Sequence, residues 1–221
     1  MRGKFITFEG GEGTGKSHHS TMVAERLKSL RFNVKHTREP GGSPGAEIMR
    51  HVLLSGAAQP FGPDAEAILF AAARDDHLNT LIRPTLERGH WVVCDRFIDS
   101  TRVYQGMVGK VDTRIVRALE RIIVGDTMPD LTFILDVPAE IGLRRANERR
   151  GKGPADRFEQ EALAYHETLR QGFRAIASVE PERCVLIDTT APLTEVADQI
   201  WNSLRERLLP TKSQHLQDAA P

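Results

Sequence analysis

A chain of 221 residues, 40% hydrophobic and 27% charged, has the composition of one ordinary globular α/β domain with room for a sizeable core. Its 30 basic and 30 acidic residues cancel, so no overall field draws it toward a polyanion, and no nucleic-acid partner is expected. No stretch approaches about eighteen apolar residues and the N-terminus lacks a continuous apolar leader, so a soluble, cytoplasmic protein without a membrane role is expected.

The first predicted element is a strand over Lys4 to Glu9, which runs into the glycine-rich segment Gly10 to Ser17. A helix follows, because Val23, Leu27 and Leu30 recur at i, i+4 and i+7. Val34 to Thr37 reads as a second strand. Helical patterns near Pro44 to Ser55 and Asp64 to Arg88, separated by Gly56 to Pro63, form a long spacer suited to a substrate-binding insertion. Trp91 to Asp95, Leu131 to Asp136 and Cys184 to Asp188 complete five strands, near-continuous apolar runs of the kind covered by helices on both faces of a parallel sheet. Cys94 and Cys184 lie inside two of these runs and read as buried thiols of a reducing compartment. Residues 1–209 are expected to form one domain, and the polar, aperiodic tail Pro210 to Pro221 is expected to be disordered and without chemistry.

Gly10-Gly11-Glu12-Gly13-Thr14-Gly15-Lys16-Ser17 completes the pattern G-x-x-x-x-G-K-[ST] between a strand and a helix. Glycines let backbone N–H groups wrap phosphate oxygens, Lys16 reaches the β- and γ-phosphates, and the Ser17 hydroxyl suits Mg²⁺. In an open parallel sheet, ligands sit beyond the carboxyl ends of the strands. Arg38-Glu39-Pro40-Gly41-Gly42 follows the second strand, Asp95-Arg96-Phe97 ends the third, and Asp136 ends the fourth, so one crevice is expected to collect all four strand ends.

Asp95 suits Mg²⁺, directly or through water, and Arg96 a phosphate, although a helix cap or a surface ion pair would leave the same pattern. Phe70, Arg74 and His77 share one face of the Asp64 to Arg88 helix, where a flat ring and a planar donor suit a nucleobase and a core phenylalanine is the plainer reading. The basic, glycine-broken segment at 144–157, with Arg149 and Arg150, is either a solvated loop or a lid that closes over a nucleotide. No histidine or cysteine spacing suits zinc, and neither a G-x-S-x-G elbow nor the N-K-x-D and D-x-x-G motifs of GTPases occur, which leaves ATP as the expected donor.

Phe8 to Ser17, Thr37 to Gly42, Asp95-Arg96-Phe97 with Ser100 and Tyr104-Gln105, Pro129 to Val137, and Asp156 to Glu159 together resemble the bacterial thymidylate kinase family over about residues 3–205. The resemblance implies a P-loop NTPase three-layer fold, α/β, with a five-stranded parallel sheet ordered 2-3-1-4-5. It also implies a homodimer that transfers the γ-phosphoryl group of Mg-ATP to dTMP.

Carried onto matching positions, the resemblance assigns residues 10–18, His18 included, to ATP, and Ser17 with Asp95 to Mg²⁺. Glu12 would approach the 3′-hydroxyl of dTMP, Arg96 its phosphate, and Phe70 and Arg74 the thymine ring and its 4-carbonyl. Tyr104 would crowd the 2′ position, with Arg38, Glu39, Ser100, Thr101 and Gln105 in the same pocket. Because the phosphate loop holds no arginine, Arg149 and Arg150 of the lid join Lys16 and Arg96 as the expected catalytic cations, and Asp156-Arg157 anchors the lid. His18 stands where relatives commonly carry Thr or Ser, a hydroxyl fewer for the nucleotide. Another small-molecule kinase, or a regulatory ATPase, is the competing expectation.

Overall fold

The computed structural model describes residues 2–151 and 158–209. Five strands, β1 (Phe5–Glu9), β2 (Val34–Arg38), β3 (Trp91–Asp95), β4 (Leu131–Asp136) and β5 (Cys184–Asp188), pair in parallel in the order β2-β3-β1-β4-β5. This is the expected fold. The central strands β1 and β4 are buried along their whole length, as their apolar runs require.

Alternate side chains of the strands serve opposite faces. Ile6, Phe8, Phe133 and Leu135 pack with Val23 and Leu27 of α1 (Lys16–Ser29) and with Ile200 and Trp201 of the C-terminal helix. On the other face Phe5, Val92 and Cys94 meet the helical insertion, while Ile134 meets Leu169 and Phe173. Cys94 and Cys184 are both free and buried.

The insertion comprises α2 (Pro44–Leu54) and α3 (Gly62–His77), a π-helical turn at Leu78–Ile82, and α4 (Arg83–Glu87). The helix expected over Asp64 to Arg88 is therefore interrupted. Pro84 lacks an N–H, and its ring would press on the carbonyl of Thr80, so the preceding turn widens. After β3 come the single turn α5 (Ile98–Thr101), a second π-helical stretch over Arg102–Val108, and α6 (Thr113–Ile123). The chain ends with α7 (Ala139–Arg150), α8 (Leu163–Val179) and α9 (Leu193–Leu208). Of the expected lid at 144–157, the first residues are the end of α7, whereas Asp156 and Arg157, like the tail 210–221, lie outside the described residues.

Candidate active site

The loop between β1 and α1 is shaped by glycines that side chains would obstruct. Gly13 adopts φ 65°, and a Cβ there would run into the carbonyl oxygen of Gly142 at the start of α7. Gly15, at φ 91°, caps α1 without any side-chain hydrogen bond, which leaves the first-turn N–H groups of a 14-residue helix available to an anion. Lys16 is 7% exposed, and its Nζ donates to the Gly11 carbonyl at 2.5 Å. Burial and the neighbouring Arg96 charge lower its pKa to about 8.

Parallel pairing of β1 with β3 sets Phe8 opposite Asp95, and so brings Asp95 and Arg96 to the mouth of this loop. Ser17 Oγ donates to Asp95 Oδ2 at 2.5 Å. Arg96, held at φ 67° with its N–H on the Phe8 carbonyl at 2.8 Å, donates to Glu12 and to the Gly10 carbonyl at 3.0 Å. Tyr104, on the second π-helical stretch, donates to the same Glu12 Oε1 at 3.1 Å. Burial alone would raise the Glu12 pKa, but the charges of Arg96 and Lys16 hold it at about 2.

Glu9, the last residue of β1, was not among the expected site residues. It is fully buried and accepts from the Phe97 N–H at 2.7 Å, the Ser100 N–H at 3.2 Å and Ser100 Oγ at 2.7 Å. Burial and the nearby Asp99 charge raise its pKa to about 7. When Glu9 is ionised, the Ser100 hydroxyl proton is committed to it. A carboxylate closing an otherwise apolar strand was the only available signal.

At the other end, Arg74 of α3 is buried and donates from Nε to Glu39 at 2.8 Å, from Nη1 to Thr101 Oγ1 at 2.9 Å and from Nη2 to the Phe97 carbonyl at 3.0 Å. Phe70 is half-buried, with its ring centroid 6.3 Å from that of Phe158. It belongs both to the edge of the core and to a cavity wall.

All ten expected acceptor-site residues, Glu12, Arg38, Glu39, Phe70, Arg74, Arg96, Ser100, Thr101, Tyr104 and Gln105, line one cavity of about 320 Å³, together with Lys16, Ser17, Asp95 and Arg149. Three of the expected residues are differently engaged. Arg38 is paired with both oxygens of Glu47, at 2.9 and 3.1 Å. Arg150 is turned to Glu159 at 2.6 Å and is absent from the cavity wall, whereas Arg149 is 61% exposed and only 3.6 Å from the same carboxylate. The His18 side chain is exposed and stands edge-on to buried His19, with ring centroids 5.0 Å apart.

The expectation of four strand ends in one crevice holds for three. Asp136 accepts from Arg170 at 2.8 and 3.0 Å and from Arg174 at 2.6 Å, so its carboxylate is neutralised by α8 and does not line the main cavity.

A sequence model described as thymidylate kinase matches residues 8–200. The chain belongs to the thymidylate kinase family. It is 59% identical over 210 residues to the thymidylate kinase of Bradyrhizobium diazoefficiens, covering 95% of this chain and 92% of that one. Against the thymidylate kinase of Nitrobacter winogradskyi it is 58% identical over 209 residues, covering 95% of this chain and 91% of the relative. The crystal structure of thymidylate kinase from Ehrlichia chaffeensis superposes with a TM-score of 0.73 at 32% identity, covering 93% of this chain and 99% of that one. The strand order implied by resemblance to this family is the order found.

Proposed function

We propose that the chain transfers the γ-phosphoryl group of ATP to dTMP, giving dTDP and ADP. One observation carries the reading: a single cavity is lined by Phe70 and Arg74 on the base side and by Lys16, Ser17 and Asp95 on the donor side. Arg96 and Phe97 join the two ends, since Arg96 bonds the Gly10 carbonyl of the phosphate loop and the Phe97 carbonyl accepts from Arg74.

The acceptor phosphate of dTMP is already an anion near neutral pH, so attack on the γ-phosphorus needs no strong base, and the work is to hold two polyphosphates together in line. Lys16 and Arg96 offset their repulsion. Arg149, on the cavity wall, reaches the transferring group first, with Arg150 behind it. Residues 10–18 cradle the ATP phosphates. Glu12 meets the sugar 3′-hydroxyl, Tyr104 leaves no room for a 2′-hydroxyl, Phe70 stacks on thymine and Arg74 donates to its 4-carbonyl. Arg38, Glu39, Ser100, Thr101 and Gln105 complete the acceptor pocket, Glu39 and Ser100 chiefly by holding Arg74 and Glu9 in place.

The hydroxyl of Ser17 and the carboxylate of Asp95 are hard oxygen donors, adjacent at 2.5 Å, and such a pair would hold Mg²⁺. Held there, the ion would supply charge neutralisation for the donor phosphates. Two copies pair through α2, α3 and α6, where α3 packs against both neighbours and Ile48, Ile68 and Ile122 are 70%, 53% and 71% exposed; light scattering tests this. The reaction belongs to the cytoplasm, where the free thiols Cys94 and Cys184 are stable.

Incubation with γ-labelled ATP and, separately, dTMP, dUMP, dCMP, dGMP and AMP tests the assignment. The label is expected in dTDP. Release as inorganic phosphate without an acceptor, or faster transfer to another monophosphate, overturns it.

A further inference from the structure

From Arg74 at the base end of the cavity a polar chain runs back into the core, to His77 and Thr37, which do not line the cavity. Thr37 Oγ1 is 2.8 Å from His77 Nε2, His77 Nδ1 is 3.1 Å from Glu39 Oε1, and the other oxygen of Glu39 accepts from Arg74 Nε at 2.8 Å. His77 is fully buried and does not line the cavity. A carboxylate ion only accepts, so the proton between His77 and Glu39 sits on Nδ1. The far end is sealed by Gly42, at φ 89°, where a Cβ would collide with both Thr37 Oγ1 and His77 Nε2.

The consequence falls on Arg74. A guanidinium has five N–H donors. Three are spent on Glu39, Thr101 and the Phe97 carbonyl, which leaves one on each terminal nitrogen of a side chain that lines the cavity. Their direction is set by these three partners together, and Glu39 is the one of the three whose second oxygen is bonded from behind by His77.

We infer that His77 is a positioning residue for base selection: by holding the second oxygen of Glu39 it sets the orientation in which Arg74 offers donors to a 4-carbonyl pyrimidine and rejects a 4-amino one. The inference rests on the reading of Arg74 as the base contact. His77 never meets the nucleotide, and its effect is on discrimination between dTMP and dCMP rather than on phosphoryl transfer.

Two substitutions of similar polarity separate positioning from packing. Asparagine places its amide near the Nδ1 position and keeps the donation to Glu39, whereas glutamine places its amide near Nε2, keeps Thr37 and releases Glu39. His77→Gln is expected to lower the ratio of kcat/KM for dTMP over dCMP by roughly tenfold or more, the cost of freeing one buried acceptor. The loss should fall in the KM for dTMP, with the KM for ATP held within about twofold, while His77→Asn keeps most of the selectivity. Glu39→Gln, which cannot accept from Arg74 and His77 together, tests the same chain from its centre and is expected to lose selectivity likewise. Selectivity retained in His77→Gln, or lost equally in His77→Asn and His77→Gln, overturns the inference. Arg74→Lys is the control: if it leaves selectivity intact, the base-contact reading itself fails, and if it abolishes selectivity while His77→Gln does not, only the role of His77 falls.

Discussion

Arg96→Ala removes the group on which the two halves of the site converge. In the free protein its guanidinium holds Glu12 and the Gly10 carbonyl, and lies 5.2 Å from the centre of the Tyr104 ring. When the acceptor phosphate arrives, the same fork can give it two charge-assisted hydrogen bonds, each about 1.5–3 kcal/mol. Part of that gain replaces the existing bond to Glu12, so the net loss in the variant is about 3–4 kcal/mol, or roughly 10²–10³ in kcat/KM for dTMP. A coupled assay of ADP release at saturating Mg-ATP measures it. Arg96→Lys should recover only part of the loss, since an ammonium keeps the charge without the planar fork. The Glu12 pKa should also climb from about 2, because burial then acts against Lys16, Tyr104 and His166 without the Arg96 charge. Turnover of dTMP within about tenfold of the parent, in a variant that melts normally, would refute this account of the acceptor phosphate.

Lys16 has its pKa lowered to about 8, so kcat/KM for ATP should fall as pH rises above about 8, while kcat, which reports the phosphate-bound lysine, holds to higher pH; a pH profile without that limb contradicts the assignment. Glu9 keeps its proton in the folded protein up to about pH 7 but releases it near 4.5 when unfolded. The folded state then binds more protons between these values, stability falls as pH rises through that window, and Glu9→Gln should melt progressively higher relative to the parent between pH 5 and pH 7 and no further above it. Gly13→Ala combines φ 65° with a backbone collision at Gly142, and calorimetry should show a loss of about 1–3 kcal/mol along with weaker ATP binding. His18→Thr restores a hydroxyl in the first turn of α1 and is expected to tighten ATP binding; an unchanged dissociation constant by titration calorimetry would show that the exposed imidazole had cost nothing.

The bounds of β3, β4 and β5 were legible because each is an apolar run that needs cover on both faces, and the phosphate loop because each of its residue types answers a physical demand. Strand order is invisible to periodicity, which says how a strand is buried but not beside which neighbour; it came with the family resemblance. The widened turn at Leu78–Ile82 was also missed, although Pro84 announced it. Glu9 and His77 show a deeper limit. Each acts through partners distant in sequence, Phe97 for Glu9 and Glu39 for His77, and a buried carboxylate or imidazole shows its purpose only once those partners are adjacent. Asp136 failed the other way: it occupies the strand end a ligand contact would, yet Arg170 and Arg174 claim it from α8.

The central claim is that one cavity holds donor and acceptor together, the phosphate loop touching both. A crystal structure with dTMP and a non-hydrolysable ATP analogue tests it most directly. The account predicts thymine between Phe70 and Arg74, the acceptor phosphate on Arg96, the 3′-hydroxyl at Glu12 and the terminal donor phosphate at Lys16. Density for dTMP outside the cavity, or a thymine ring turned away from Phe70 and Arg74, would contradict it.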